Sequence, residues 1–239
     1  MLPGLTGMIT RSSGGAIVNP DISLVGQVIG GNAVGNAVAL TLPLLQNDDV
    51  IYAFCTRSNE APAIVIGQSG YVLLANIVGA NTVEGVFGTR LAVYRKIVSG
   101  SIDGTVSFNA GALGLGNVAY AYCLRGVKGV QPEDATVVTA TGTVGGGLNT
   151  LPTPAITTAT AGAWVITAHG MQMNNNPLSV PVGYINQVLQ TSGSTKRQVT
   201  GGAGTKVILT PGAENPGDWT YNEQGQYAAC TIAVRRAGA

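Results

Sequence analysis

Short runs of Val, Ile, Thr and Tyr recur about every 10–15 residues along this chain, each fenced by Gly, Asn, Asp or Pro. That spacing limits the fold more than any other feature. β-Branched and aromatic side chains suit a pleated, half-buried surface, and the fencing residues are turn formers. Long helical patterns rich in Glu, Lys and Leu are missing, so a parallel sheet with crossover helices is excluded. The spacing predicts strands at 36–42, 50–57, 71–78, 89–97, 105–108, 118–125, 135–142, 163–170, 182–190, 197–200, 205–209 and 227–236. Gly201-Gly202-Ala203-Gly204 reads as the hairpin turn between two of them. The strand at 118–125 puts Tyr120, Tyr122 and Leu124 on one side and Ala119, Ala121 and Cys123 on the other. Such a series points to an all-β, antiparallel sandwich or barrel. It occupies residues 21–239, behind a Gly-, Ser-, Pro- and Thr-rich N-terminal arm, residues 1–20.

An internal echo is present. Val50-Ile-Tyr-Ala-Phe-Cys55 is followed by Gly70-Tyr71, and Trp164-Val-Ile-Thr-Ala-His169 is followed at a similar distance by Gly183-Tyr184. Leu91-Ala-Val-Tyr-Arg-Lys96 is echoed by Ile232-Ala-Val-Arg-Arg236. The separations are unequal: the step from Leu91 to Ile232 is longer than the step from Gly70 to Gly183. Two readings stay open: two similar halves, or chance likeness among Val/Ala/Tyr strands.

Charge narrows the function. The chain has 12 Lys and Arg against 11 Asp and Glu, a net charge of +1. No basic excess or stripe offers a footprint for nucleic acid. An apolar share of 45% excludes disorder by charge, and the 35 glycines lack the three-residue period of collagen. The N-terminus lacks the basic and apolar regions of a secretory signal, and no apolar run is long enough to span a membrane. A soluble protein made in a cytoplasm, without membrane partners, is expected.

The whole stretch from Ala135 to Thr195 contains no Asp, Glu, Lys or Arg, and residues 22–47 contain none either. Alternate strand residues face outward, so part of this ribbon should lie near a surface of Thr, Ser, Asn, Gln, Gly and Ala. Such a surface is cheap to desolvate, which suits burial against another protein. A neutral surface left in water is the alternative.

Candidate chemistry is sparse. His169, the sole histidine, would have to be the base of any Ser/His/Asp triad; a structural histidine at a strand end is the simpler reading. Asp48-Asp49, Glu133-Asp134, and Asp218 with Glu223 are the acid pairs. They read as solvated corners or strand caps, with glycoside hydrolysis or Ca²⁺ ligation as the rivals. Gly145-Gly146-Gly147 lacks the Lys-Ser/Thr and the helix of a phosphate loop. Cys55, Cys123 and Cys230 have no metal-binding spacing; they read as reduced and buried, with a disulfide as the alternative. No cofactor, metal or catalytic residue is assigned. Trp219 and Tyr221, in a polar stretch with Asp218 and Glu223, are the candidate contact for a ligand or partner, supported by Trp164, Tyr184 and Tyr227 as further aromatics. Aromatics folded over the end of the core are the competing account.

One resemblance can be drawn. Asp48-x-x-Ile51-Tyr-Ala-Phe54, the Gly70-Tyr71 step and Arg90-Leu-Ala-Val-Tyr-Arg-Lys-Ile97 come in that order. Gly104-Thr-Val-Ser-Phe108 and Val118-Ala-Tyr-Ala-Tyr-Cys-Leu-Arg-Gly-Val127 follow. Pro152-Thr-Pro-Ala-Ile-Thr-Thr158, Ala163-Trp-Val-Ile166 and Cys230-Thr-Ile-Ala-Val-Arg-Arg-Ala237 complete the series. Over residues 48–237 this resembles the jelly-roll-like β-sandwich proteins of tailed-bacteriophage structural modules, which also occur in related bacterial surface proteins. The resemblance implies a non-enzymatic virion protein, a capsid decoration or cement protein that oligomerises, as a trimer for instance. Its partners would be other virion proteins, the major capsid or a neck or tail protein, and residues 1–20 would dock on a neighbour. The alternatives are a tail, neck or fibre accessory protein and a host-glycan-binding module.

Overall fold

A computed structural model describes residues 21–32, 37–58, 63–79, 88–109, 116–144, 149–172, 179–193, 198–221 and 223–239. The arm at 1–20 and Gly145–Gly147 lie outside the described residues. Eight strands form the first half: β1 (Ser23–Asn32), β2 (Ala37–Thr41), β3 (Val50–Arg57), β4 (Val65–Ile66), β5 (Val72–Gly79), β6 (Thr89–Ile97), β7 (Thr105–Asn109) and β8 (Asn117–Arg125). The second half holds β9 (Val138–Val144), β10 (Asn149–Pro152), β11 (Ile156–Thr158), β12 (Ala163–Met171), β13 (Ile185–Ser192), β14 (Val199–Ile208), β15 (Gly212–Glu214), β16 (Asp218–Tyr221) and β17 (Gly225–Val234). The chain is an antiparallel β-sandwich, as its strand-and-turn pattern requires.

Two five-stranded sheets carry the fold, in the orders β1-β8-β3-β6-β5 and β13-β14-β12-β17-β9. Replacing β1, β3, β5, β6 and β8 by β9, β12, β13, β14 and β17 turns the first order into the second, read backwards. Stacked face to face, β3 lies on β12, β8 on β14, β6 on β17, β1 on β13 and β5 on β9. Exchanging the halves maps the pair β3/β12 onto itself and the other stacked pairs onto one another, so the halves are related by a pseudo-two-fold axis that passes between β3 and β12. The outer layers echo this: β2-β7-β4 covers the first sheet, and β10-β16 with β11-β15 covers the second. The bridge from Ser179 to Thr220 stands where β4 pairs with β7 in the first half.

Four layers explain why the inner strands read as unbroken apolar runs. Every residue of β3, β12 and β17 is buried, because both faces are covered. Between the large sheets, Tyr52, Phe54, Tyr120, Tyr122 and Leu124 meet Trp164, Ile166, Cys230 and Ile232. Tyr120 and Tyr122 satisfy their hydroxyls across this core, donating to the carbonyls of His169 (2.9 Å) and Asn186 (2.6 Å). Ala119, Ala121 and Cys123 face the other way, under Val38, Leu40, Val106 and Phe108. That is the division of β8 its sequence predicts.

Two expectations change. The glycine stretch at 201–204 is not a turn: β14 runs unbroken from Val199 to Ile208, pairing with β12 and β13. A Cβ at Gly201 would lie 2.7 Å from Thr56 Cγ2, and one at Gly202 would lie 2.4 Å from Leu189 Cδ2. Gly201 lets the first sheet approach, and Gly202 leaves room for Leu189 on the paired strand β13. The ion-free ribbon is also partly explained from within. β12, at its centre, is covered by the chain's own first sheet and outer layer, whereas Thr139, Thr141 and Thr143 on β9 stay exposed.

Candidate functional site

Among the described residues, four groupings of titratable side chains stand out. The first two form a matched pair. Gly70 (φ 82°) and Gly183 (φ 80°) both take the left-handed conformation that glycine accepts readily. The next residue in each case, Tyr71 or Tyr184, lies against a lysine. Lys96 Nζ is 5.3 Å from the Tyr71 ring centre and 2.6 Å from Asp103 Oδ2. Lys206 Nζ is 5.7 Å from the Tyr184 ring centre and 2.9 Å from Glu214 Oε1. Burial first, and then the neighbouring carboxylate, raises both tyrosine hydroxyls above their ordinary range. Each cluster latches a turn onto the adjacent strand; Lys96 also donates to the Ser69 carbonyl (3.2 Å). The Gly-Tyr echo is visible in the sequence, but the lysine and acid that complete it escape a search for like strands. Their signal is there all the same: Lys96 to Lys206 and Asp103 to Glu214 span nearly the same interval as Gly70 to Gly183.

The third place is the junction of the halves. A cleft of about 410 Å³ is lined by Leu74, Gln131, Glu133, Ala135, Thr136 and Val137. Glu133 accepts from Arg95 (2.5 Å) and from the buried Tyr52 hydroxyl (3.0 Å). Both carboxylate oxygens are thus engaged, and the group ties the connecting segment to the first sheet. Its sequence neighbour Asp134 accepts from the amides of Ala159 (2.5 Å) and Thr160 (3.0 Å) and from Arg235 (3.2 Å). Burial alone would raise its pKa; the amides and Arg235 outweigh that and lower it. Tyr52→Phe should cost about 1.5 kcal/mol of stability, since it removes a buried bond to a charged group. An unchanged urea midpoint would show that the Glu133 tether is not held by this hydroxyl.

The fourth place is buried in the second half. His169 Nε2 is hydrogen-bonded to the Tyr221 hydroxyl, and the imidazole lies 4.4 Å, ring centre to ring centre, from Trp219. Burial lowers the His169 pKa to about 3, so the ring is neutral at ordinary pH. No serine or carboxylate is bonded to it among the described residues, and the reading of a structural histidine fits this packing. Trp219 and Tyr221 lie on β16 and both are 0% exposed. The expectation of exposed loop aromatics is therefore corrected. β16 pairs with β10 and closes the outer layer, and its aromatic residues fill the space beneath, with Leu151, Met171 and Tyr227. Trp164, Tyr184 and Tyr227 are buried as well.

The other acids separate. Asp48 turns the chain (φ 70°) and is exposed, while Asp49 is buried in a two-bond pair with Arg125 (2.8 Å each). Asp218 is exposed at the start of β16. The three cysteines are free and buried, and burial pushes the thiols of Cys55 and Cys123 up to about 12. Among the described residues no three His, Cys, Asp or Glu side chains gather as a metal site. No family model, curated protein or solved structure matches the chain.

What remains open is backbone. β1, β5, β9 and β13 end the two large sheets, and none of these four strands contains a charged residue or a proline. The charges of the large sheets sit on inner strands instead: Arg57, Arg90, Arg95, Lys96, Arg125 and Lys206. Natural sheets ordinarily guard their edges with Lys, Pro or β-bulges. β1, β5 and β13 each carry a register irregularity, and none of the four strands carries a charge.

Proposed function

We propose that this chain is a non-enzymatic structural protein of a tailed-bacteriophage particle, a capsid decoration or cement protein that acts by lying against protein neighbours. The observation that supports this reading is the absence of ions from all four edge strands of the two large sheets. An uncharged strand edge is cheap to desolvate and has backbone donors and acceptors ready for a partner. A rigid four-layer body also suits a part that must keep its shape in a lattice. Resemblance to phage structural modules supplies the setting: synthesis in the host cytoplasm, residence in the virion, self-association, and contact with a capsid, neck or tail protein. A tail, neck or fibre position uses the same surface chemistry. The glycan-binding alternative loses its named contacts, because Trp219 and Tyr221 are enclosed.

The test is co-sedimentation of the purified chain with particles that lack it. Saturable binding to one particle component is expected. Removing residues 1–20 should lower occupancy about tenfold while leaving the thermal melt of the sandwich in place, as expected of a docking arm that adds avidity rather than core. Equal occupancy would dismiss the arm, and no binding to any particle component would dismiss the particle role.

A further inference from the structure

We propose that two copies of this chain pair through β5, antiparallel about a two-fold axis, and so join their first sheets into one ten-stranded sheet. Among the described residues β5 is bonded on one side only, to β6. Its sequence, Val72-Leu-Leu-Ala-Asn-Ile-Val-Gly79, has no charge and no proline. Val72, Leu73 and Val78 are 48%, 49% and 36% exposed, large apolar side chains on an open edge. The strand is irregular between Leu73 and Ala75 and regular from Ala75 to Gly79, which gives a straight segment for pairing.

β1 and β13 are tied together by Gln27 Nε2 donating to the Gln187 carbonyl (3.3 Å), although β13 exposes Ile185 (60%) and β5 in turn stacks on β9. β9 presents threonines rather than large apolar groups. Beside β5, Leu74 lines the cleft with Ala135 and Val137, together with the polar Gln131, Glu133 and Thr136.

A second copy fits this edge better than a charged peptide would, because nothing on β5 answers a charge. Antiparallel pairing of a strand with its own copy lays one apolar edge against the same edge, as an isologous two-fold contact requires. The five regular residues extend about 17 Å, and four layers stacked about 10 Å apart span about 30 Å. The contact then removes roughly 500 Å² per copy, about 1,000 Å² in total, which is the lower bound for a specific interface.

The proposal takes its setting from the particle role, yet its test is independent of it. Light scattering on the full chain should give twice the 24.2 kDa mass of one chain. Leu73→Lys with Val78→Lys, at exposed positions, should weaken the pair by about 100-fold or more by opposing like charges across the axis. Amide exchange on the unmodified chain gives a second readout: β5 amides should gain protection at high concentration while β13 amides do not. A monomer, an oligomer other than a dimer, or a dimer whose β5 amides keep exchanging overturns the pairing. So does a folded double-lysine variant that still dimerises. A β5 dimer that binds no particle leaves the pairing standing and removes the particle role; a monomer that binds particles does the reverse.

Discussion

Gly170→Val is expected to cost about 3 kcal/mol or more of folding stability, seen as a fall of about 6–12 °C in the melting temperature. Gly170 sits on β12 between Gly201 of β14 and Ala228 of β17, facing the first sheet. A Cβ there would lie 1.8 Å from Thr56 Oγ1 and 2.5 Å from Thr56 Cβ. Thr56 cannot step aside: it is fully buried on β3, with β6 and β8 on either side. Gly201 shares the same neighbour, so a pair of adjacent glycines makes the floor on which Thr56 rests. Relief must therefore come from separating the two large sheets, which loosens the central core. Gly67→Ala is the control, since no atom lies within 4 Å of a Cβ built there; it should stay within about 0.5 kcal/mol. A Gly170→Val protein with an unchanged urea midpoint would mean that the sheets are not in the close contact described.

That contact is the part of the fold hardest to read from the chain alone. β3, β6, β8 and β12 fall within a residue of their expected bounds, because their side chains are β-formers with turn residues on both flanks. β1 is a strand that the residue pattern does not announce. It carries Gly26, Gly30 and Gly31, and glycine in a sequence reads as a turn. In this molecule a Cβ at Gly26 would press on Pro43 (3.1 Å) and one at Gly31 on Gln190 (2.7 Å). The expected splitting of β14 has the same origin. Glycine weakens a lone strand but suits a strand that another layer must approach closely.

The internal echo is half legible. The echoes from Val50 to Trp164 and from Gly70 to Gly183 join true counterparts, β3 with β12 and the turns before β5 and β13. The longer echo, from Leu91 to Ile232, joins β6 with β17, which are not counterparts; β6 corresponds to β14 and β17 to β8. Constancy of separation is the discriminating signal, and the latch lysines Lys96 and Lys206 obey it. Trp219 and Tyr221 mislead for another reason. Their polar flanks, Asp218, Asn222 and Glu223, resemble a loop, but alternation across β16 sends Trp219 and Tyr221 inward and leaves Asp218 outside. Of the site chemistry, the sequence can show which groups exist; pairing Glu133 with Arg95, or Asp49 with Arg125, needs the topology.

Acid should weaken this protein from a pH well above the carboxylate range, and His169 is the reason. The imidazole is buried against Trp219 and Tyr221, and its pKa falls to about 3 because burial penalises the cation. In the unfolded chain the same group titrates near 6.5. Between these values the unfolded state binds a proton that the folded state refuses. The stability from keeping His169 neutral is therefore fully present above about pH 6.5 and is lost progressively as the pH falls toward 3. The slope approaches about 1.4 kcal/mol per pH unit, and the whole effect is on the order of 4–5 kcal/mol. Asp134, whose pKa is lowered, adds its own loss only near and below pH 4. The interval from 6.5 to 4.5 therefore isolates the histidine, with an expected loss of about 2 kcal/mol. His169→Gln keeps a polar neighbour for the Tyr221 hydroxyl and has no proton to gain, so its stability should be level across that interval. Urea titrations at several pH values compare the two proteins. A level unmodified chain, or a variant with the same slope, would mean that His169 meets solvent and is not the enclosed group described.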